Sequence, residues 1–586
     1  MSQKWVVYSF WRLISVFRAI VISAEPYRDQ WILDNLSRKI DLDYCLCVGD
    51  QQIPNDKINY LDFNKIIFGG YDHYINWHEI PPLDENLIEK MSACESLLFR
   101  VMDDEFAFDP VRGFQQSRLP YLKHLRYWNW FLDEYKINLV INFAVPHLVY
   151  DHVIYELCKF KAIRFLCLMP THICGMFSWI EDWEESAVNI YIKYQQLVQD
   201  SSELEIEFSK LTQAHYDRQI GNPKPTPTYM ESSAYKDYIQ TNLKKMYDIF
   251  EYTNDLNFIK NLESQVNQIN RVLSFKQLLI NLLLPRKPQP SDHKGSFWET
   301  VSAKLKEPDF WLRLLTLDVW LIRRLKNRWI LGLRKEQEKL ESQRREILLN
   351  LERLELFGFY NKKAVEPDLS SKYIYVALHF QPEATTMPLA GAFANQLLIV
   401  QLLAYCVPND VLIYVKDHPS QDIRCRSIKF YQEIINIPNV RLIPRNYDTF
   451  TLTDHALAVA TATGTVGWEA LFKGKPVLMF GHYVYQYAPG VLQISTLEDC
   501  QKAIHKIIYE NFKPDPHQLK LFLKALDETC FLLNLNFYYE GIVPMPVAQT
   551  MNNLTDSIGQ YLAQFSSGSV DATNSSASIL KSAPKS

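Results

Sequence analysis

Between residues 373 and 480 the sequence passes through five short apolar stretches, 373–378, 411–415, 440–443, 456–460 and 477–480, and each breaks into a polar loop. Helical periodicity fills most of the gaps between them. Strands alternating with helices predict a doubly wound parallel sheet, because parallel neighbours need a crossover connection. All carboxyl ends of a parallel sheet lie on one edge, and that edge is where such sheets bind ligands. Here it gathers His379-Phe380-Gln381-Pro382, Lys416-Asp417-His418-Pro419, Pro444-Arg445-Asn446, residues 461–469 and Gly481-His482.

Glycine marks the same edge. The chain has 18 glycines in 586 residues, yet Gly464, Gly467, Gly474, Gly481 and Gly490 fall within 27 positions. In the turn 463–469 glycine lets backbone N–H groups approach an anion, and the helix starting there adds its positive end. Thr463 and Thr465 offer hydroxyl donors. Glu469, one turn into that helix, can accept hydrogen bonds from ribose hydroxyls. Lys416 and His418 can neutralise a phosphate or protonate a leaving one. The turn lacks both G-x-x-x-x-G-K-[ST] and G-x-G-x-x-G, which disfavours an ATPase P-loop and a dehydrogenase-type dinucleotide site. The plain alternative is a tight strand-to-helix turn flanked by solvated side chains. Taken together, the residues point to a nucleotide-phosphate or sugar-phosphate site.

The first 215 residues repeat the pattern less sharply. Strands are expected at 19–23, 43–48, 65–68, 139–143 and 164–168, with a helix over 150–159. The 139–168 portion is a βαβ unit, so a second parallel sheet is expected. His147 and His172 follow two of its strands, where either a ligand site or an ordinary surface histidine is expected. Asp41-Leu42-Asp43 has D-x-D spacing but lies far in sequence from the phosphate turn, and no metal site is assigned. H-E-x-x-H and G-x-S-x-G are absent, which removes zincin and serine-hydrolase readings. The ten cysteines form no C-x-x-C pair and read as buried free thiols of a reducing compartment. No 18-residue uncharged apolar run occurs, so no spanning helix is expected. The apolar run 5–17 is interrupted by Arg12 and lacks a cleavage site, so a cytoplasmic protein is expected.

Proline-rich breaks at 222–227 and 285–290 frame a different region. Residues 286–335 carry 12 basic and 5 acidic side chains, a local excess of seven positive charges in a chain of net −5. Within it, 310–335 mixes Trp and Leu with Arg and Lys. That composition suits an anionic membrane surface, or a helix packed on the protein with a solvated basic face. Nucleic acid is disfavoured, because no recognised binding motif accompanies the charge. The expected organisation is an N-terminal Rossmann-like domain over 1–215, a basic helical segment over 216–366, a C-terminal Rossmann-like domain over 367–545, and a terminal helix with a Ser- and Ala-rich tail over 546–586.

The stretches HFQPEATTMP (379–388), YVKDHPSQ (414–421), FYQEIINIPNVRLIP (430–444) and AVATATGTVGWEALFKGKPVLMFG (458–481) resemble the bacterial capsule polysaccharide biosynthesis proteins, the family that includes the capsule β-Kdo transferases. The resemblance covers about 120 residues strongly; LVINFAVPHLVYDHVIYELCK (139–159) is similar more weakly. It implies an α/β, GT-B-like enzyme with two Rossmann-like doubly wound domains facing a cleft and a helical inter-domain segment. By the resemblance, Gln381 and Pro382 shape the donor pocket, and His418, with Lys416 and Pro419 in the same loop, faces the donor phosphate. Thr463, Gly464 and Thr465 cradle that phosphate, and Glu469 contacts the nucleotide. No motif locates the acceptor-side base; His147 and Asp151 are the candidates. The implied activity is metal-independent, cofactor-free transfer of a sugar, with CMP-Kdo as one donor, to a polysaccharide or lipid-linked acceptor at the inner membrane. A CDP-alcohol phosphotransferase, a sugar-nucleotide epimerase and a non-catalytic capsule assembly or export partner are the alternatives.

Overall fold

The structure is a computed structural model that describes residues 16–22, 38–49, 59–105, 114–200, 206–225, 255–283, 309–423, 425–534 and 545–566, with single residues 36, 236 and 543. Two compact units emerge: Met1–Leu243 together with Lys363–Ser586, and Lys244–Lys362.

The larger unit contains two sheets. The first is built from β1 (Val16–Ile22), β2 (Asp41–Gly49), β3 (Asn59–Asp62), β4 (Leu139–Asn142), β5 (Arg164–Pro170), β6 (Met176–Ile180) and β13 (Phe531–Leu532), in the order β13-β6-β5-β4-β1-β2-β3. β1 to β5 are mutually parallel, while β6 and β13 add an antiparallel edge. The second comprises β7 (Tyr373–Ala377), β8 (Leu412–Lys416), β9 (Val440–Ile443), β10 (Ala458–Thr461), β11 (Val477–Met479) and β12 (Val491–Gln493), ordered β12-β11-β10-β7-β8-β9. Every pairing in it is parallel. Both sheets start a strand in the middle, add two on one side, then return to the other side. This is the Rossmann-like doubly wound order, and it places a switch point between β1 and β4 and another between β7 and β10.

Burial explains why these strands were readable. In β4 and β5, Leu139, Ile141, Leu166 and Leu168 face one core, while Val140, Phe165 and Cys167 face the other. A strand covered on both faces has no reason to alternate polar with apolar residues. The cover on the first face comes from the far end of the chain. Met551, Leu554, Ile558 and Leu562 line one stripe of the helix Val547–Ser566 and share a core with Ala19, Leu139 and Leu166. The chain returns to the first domain before that helix, since β13 pairs with β6 and the helix Pro516–Thr529 packs on Val188–Asp200.

Three details differ from the sequence reading. Residues 65–68 do not form a strand. The strand is the preceding β3, and Asp62 ends it by accepting the Asn64 N–H at 3.0 Å and capping the helix Phe63–Ile66. The sequence reading has no counterpart for β6, β12 and β13. The stretches 310–335 and 336–355 form one helix, Asp309–Lys363. The side chains of Arg323 and Arg324 lie outside the described residues. Asp43, in the D-x-D stretch, pairs with Arg18. Among the described residues no helix is long and apolar enough to cross a membrane.

Candidate functional site

The two strands at the second switch point are tied together by one histidine. His379, just past β7, lies 2.7 Å through Nε2 from Oγ1 of Thr461, the last residue of β10, and the Thr463 amide donates to the same nitrogen at 3.2 Å. Burial, then the neighbouring His418 and Arg426, press the His379 pKa down to about 3. The ring is therefore neutral, with Nε2 the acceptor and Nδ1 the protonated nitrogen. Thr461 Oγ1 in turn accepts the Gly464 amide at 3.2 Å. A Cβ on Gly464 would lie 2.9 Å from that oxygen and 3.0 Å from His379 Cε1, so only glycine fits.

These bonds change which groups of the turn can meet an anion. The Thr463 and Gly464 amides are engaged by His379 and Thr461, and the Thr463 hydroxyl donates to the Thr385 carbonyl at 2.6 Å. The helix Thr465–Phe472 begins immediately after, capped by Gly464. The amides of Thr465 and Val466, with the Thr465 hydroxyl, have no partner among the described residues. They are the donors left at the positive end of the helix.

Glu469 lies one turn further on and is buried. Burial raises its pKa to about 8, opposed only by Lys473. Lys473 itself donates to Asp454 and to the Pro223 carbonyl. The Glu469 carboxyl has no hydrogen-bond partner among the described residues. A buried carboxyl left without a donor is costly unless something outside the chain supplies one.

Beside it, the loop after β8 is braced from below. Asp417 is fully buried and accepts from the His418 amide at 2.9 Å, from Arg426 at 3.4 Å and from the Tyr431 hydroxyl. The His418 Nδ1 accepts the Ser420 amide at 3.1 Å, which leaves the proton on Nε2. Burial holds His418 down at about 4 against the pull of Asp417, so its ring is a neutral N–H donor near neutral pH. Lys416 is buried and donates to Thr449 Oγ1 at 3.0 Å. Burial lowers it to about 8, with Asp417 and Asp448 opposing. Arg445 donates to the His418 and Gln421 carbonyls and fixes the far side of the loop. Pro382 and Pro419 are half-buried.

Gln381 is not presented to a ligand. Its amide nitrogen donates to the Ala394 carbonyl at 2.9 Å, and its Oε1 accepts from Gln396 at 2.8 Å and Arg426 at 2.7 Å. Gln421 bonds the Gln381 backbone on both sides, at 2.8 and 3.0 Å. Arg426, which also reaches the His379 carbonyl at 3.0 Å, is the hub of this network. No sequence motif announces it.

In the first domain, Asp151 is a helix cap. Its carboxylate accepts the Leu148 amide at 2.8 Å and the His147 amide at 3.3 Å at the start of Val149–Lys161. Burial raises it to about 6, opposed by His147 and those amides. His147 Nδ1 donates to the Val145 carbonyl at 2.8 Å, leaving Nε2 as an acceptor. Asn142, the last residue of β4, is also buried; its Oδ1 accepts the Ala144 amide, and its Nδ2 has no partner among the described residues.

The carboxyl-end loops of the two sheets meet. His172, after β5, stacks on Trp468 with ring centroids 5.4 Å apart and presents its edge to Tyr483 and Tyr485 at 5.0 Å. Trp183 lies edge-on to His482 at 5.6 Å, and Gln486 donates to the Glu184 carbonyl. The Tyr485 hydroxyl returns to the Gly464 carbonyl at 2.7 Å. The fold is thus GT-B-like, two Rossmann-like domains facing each other across their ligand edges, and the second domain's glycine turn is buttressed by the first.

The family model for capsule polysaccharide biosynthesis proteins matches residues 388–518. No curated protein matches the chain. Similar solved structures include the β-Kdo 2,7 transferase KpsC of Thermosulfurimonas dismutans, 11% identical over 78% of this chain and 95% of that one, with a TM-score of 0.26. The UDP-GlcNAc 2-epimerase of Methanocaldococcus jannaschii is 11% identical over 88% of this chain and 98% of its own, with a TM-score of 0.22. That of Neisseria meningitidis, bound to UDP-GlcNAc, is 11% identical over 93% and 99%, with a TM-score of 0.21. These scores are low, and the fold assignment rests on the two strand orders. Gln381 and Pro382 lie just before the matched segment; Lys416, His418, Pro419, Thr463, Gly464, Thr465 and Glu469 lie inside it. Over residues 388–518 of its second domain, the chain is similar to the capsule polysaccharide biosynthesis proteins.

Proposed function

We propose that the chain is a glycosyltransferase of capsule or surface polysaccharide biosynthesis, taking a sugar from a nucleotide donor and passing it to a polysaccharide or lipid-linked acceptor on the cytoplasmic side of the inner membrane. The observation that carries this reading is Glu469, a buried carboxyl with no donor among the described residues, one helical turn behind two amides that have no partner among them. A ribose supplies two hydroxyl donors to such a carboxyl. The attached phosphate then meets the amides of Thr465 and Val466 and the helix dipole. Lys416 adds positive charge from beneath, and neutral His418 offers its Nε2–H to a phosphate oxygen as charge develops on the leaving group.

In this reading Gln381 positions rather than binds, and Asp151 holds the helix that follows His147. His147, with Nε2 free to accept a proton, is the acceptor-side base. The charge on the leaving nucleotide is met by amides and Lys416, so transfer survives a chelator and needs no cofactor beyond the donor. CMP-Kdo is the proposed donor.

A thermal-shift series with CMP, CDP, UDP, GDP and ADP tests the reading. At a hundred times the dissociation constant, a ligand adds about 2.7 kcal/mol of stability, which is a shift of a few degrees. A shift with CMP supports the CMP-sugar donor. A preference for UDP, GDP or CDP keeps the site and replaces the donor. No shift with any of the five overturns the donor site and favours a non-catalytic assembly role.

A further inference from the structure

The unit Lys244–Lys362 has a polarity that the donor site does not use. Its helices Leu256–Leu283 and Asp309–Lys363 run antiparallel, set by Arg344 donating to Asn270 at 2.7 Å, Lys276 pairing with Glu336, and Gln337 donating to Gln277 at 3.0 Å. This register brings Leu283, the last described residue of the shorter helix, opposite residue 331. The long helix continues for about 20 residues past that level, or ~30 Å at 1.5 Å per residue.

Charge is segregated along the pair. Residues 264–283 contain Arg271 and Lys276 and no acid, and 310–335 contain seven bases and one acid, Asp318. From 336 to 355 the balance reverses, with six acids and four bases. Apolar exposure falls in the basic part. Ile280 and Ile330 are buried, whereas Trp329 is 68% exposed, Leu331 57% and Phe275 60%. Arg328, Arg334 and Lys335 are exposed among them. Packing between the helices accounts for the isoleucines and leaves Trp329 and Leu331 unexplained.

We propose that this basic, tryptophan-bearing part of the helix pair is a docking surface for an anionic lipid bilayer. Exposed Trp and Leu beside Arg and Lys, with one acid among seven bases over 310–335, match a headgroup layer that is apolar beneath and negative above. The arrangement lies on the surface and does not span, in keeping with the absence of any membrane-crossing helix among the described residues. The proposal is independent of the donor reading.

The test is co-sedimentation of the full chain with phosphatidylcholine vesicles prepared with and without phosphatidylglycerol. Binding to the anionic vesicles alone, weakened by salt, is expected. Removing one juxtamembrane charge costs about fivefold in affinity, so the triple variant Arg328→Glu, Arg334→Glu, Lys335→Glu should bind at least a hundredfold more weakly. Trp329→Ser should weaken binding several-fold with all charges kept. These positions are exposed, and an unchanged Tm and far-UV spectrum show that each variant is folded. Failure to bind anionic vesicles, equal binding to neutral ones, unaltered binding by the triple variant, or binding only to RNA or an acidic protein would each overturn the proposal.

Discussion

The indole N–H of Trp468 donates to Nε2 of His215 over 3.0 Å, from the helix that carries Glu469 into a helix of the opposite domain. Burial keeps His215 and His172 neutral, at about 4 and about 3, so His215 acts as a fixed acceptor and His172 as a fixed aromatic group. Glu469 follows Trp468 directly, and its position therefore depends on the first domain. His172→Ala should raise the dissociation constant of the bound nucleotide several-fold, while His172→Phe, which keeps the stack, should restore it. His215→Ala leaves the indole N–H unpaired and should cost about 1–3 kcal/mol of stability. Isothermal calorimetry and Tm read the two effects separately.

Among the described residues, the His418 side chain makes one hydrogen bond, from the Ser420 amide. His418→Ala should therefore lower Tm by only a few degrees, as the loss of about 1 kcal/mol does, and should abolish transfer. The wild-type rate should show no limb from this residue between pH 5 and pH 7, because its ring gains a proton only near 4. A rate that follows an ionisation near 6.5 would show that His418 works as an acid instead.

The sequence disclosed the second domain almost whole because its strands are buried on both faces and end abruptly in polar loops. It disclosed less where elements are short or local chemistry overrides an apolar run. Lys65-Ile66-Ile67-Phe68 looks like a strand, yet the Asp62 cap turns the chain into a helix. β12 is three residues long, and β6 is held by pairing with β5 and with the distant β13. Glu469 was legible because helical spacing alone puts it behind the glycine turn. The role of Gln381 was not, since it depends on Arg426, 45 positions away, and on Gln396 and Gln421.

Arg426 and Asp417 are both fully enclosed, and the network they support holds His379, Gln381 and the 417–421 loop. Arg426→Met leaves the Asp417 carboxylate buried without its counter-charge, which costs about 3–5 kcal/mol. Urea unfolding should show this loss with or without nucleotide. Gln381→Leu should likewise lower stability first and alter nucleotide affinity only as a consequence. If Gln381→Leu kept its urea midpoint and lost nucleotide binding alone, Gln381 would be a ligand contact after all.

Glu469 makes pH a direct probe of the site. Its folded pKa of about 8 lies above the ordinary 4.5, so the folded protein holds a proton that the unfolded chain has released. The stabilisation is complete below about 4.5 and drains away as pH rises through 8, with a slope of at most ~1.4 kcal/mol per pH unit. Lys416 acts in the opposite direction at higher pH: its folded pKa, lowered to about 8, makes stability rise between 8 and 10.5. The nucleotide-free protein should therefore lose stability from pH 5 to pH 8. Glu469→Gln, which keeps the shape and removes the ionisation, should flatten that loss and be the more stable protein at pH 8. The same variant should bind nucleotide at least tenfold more weakly, because an amide accepts ribose hydroxyls less strongly than a carboxylate. In the wild type, ribose donors favour the ionised carboxyl, so nucleotide binding should release a proton between pH 6 and pH 8. Calorimetry in two buffers of different ionisation enthalpy measures that proton directly. Binding without proton release, together with undiminished affinity in Glu469→Gln, would remove Glu469 from the nucleotide site.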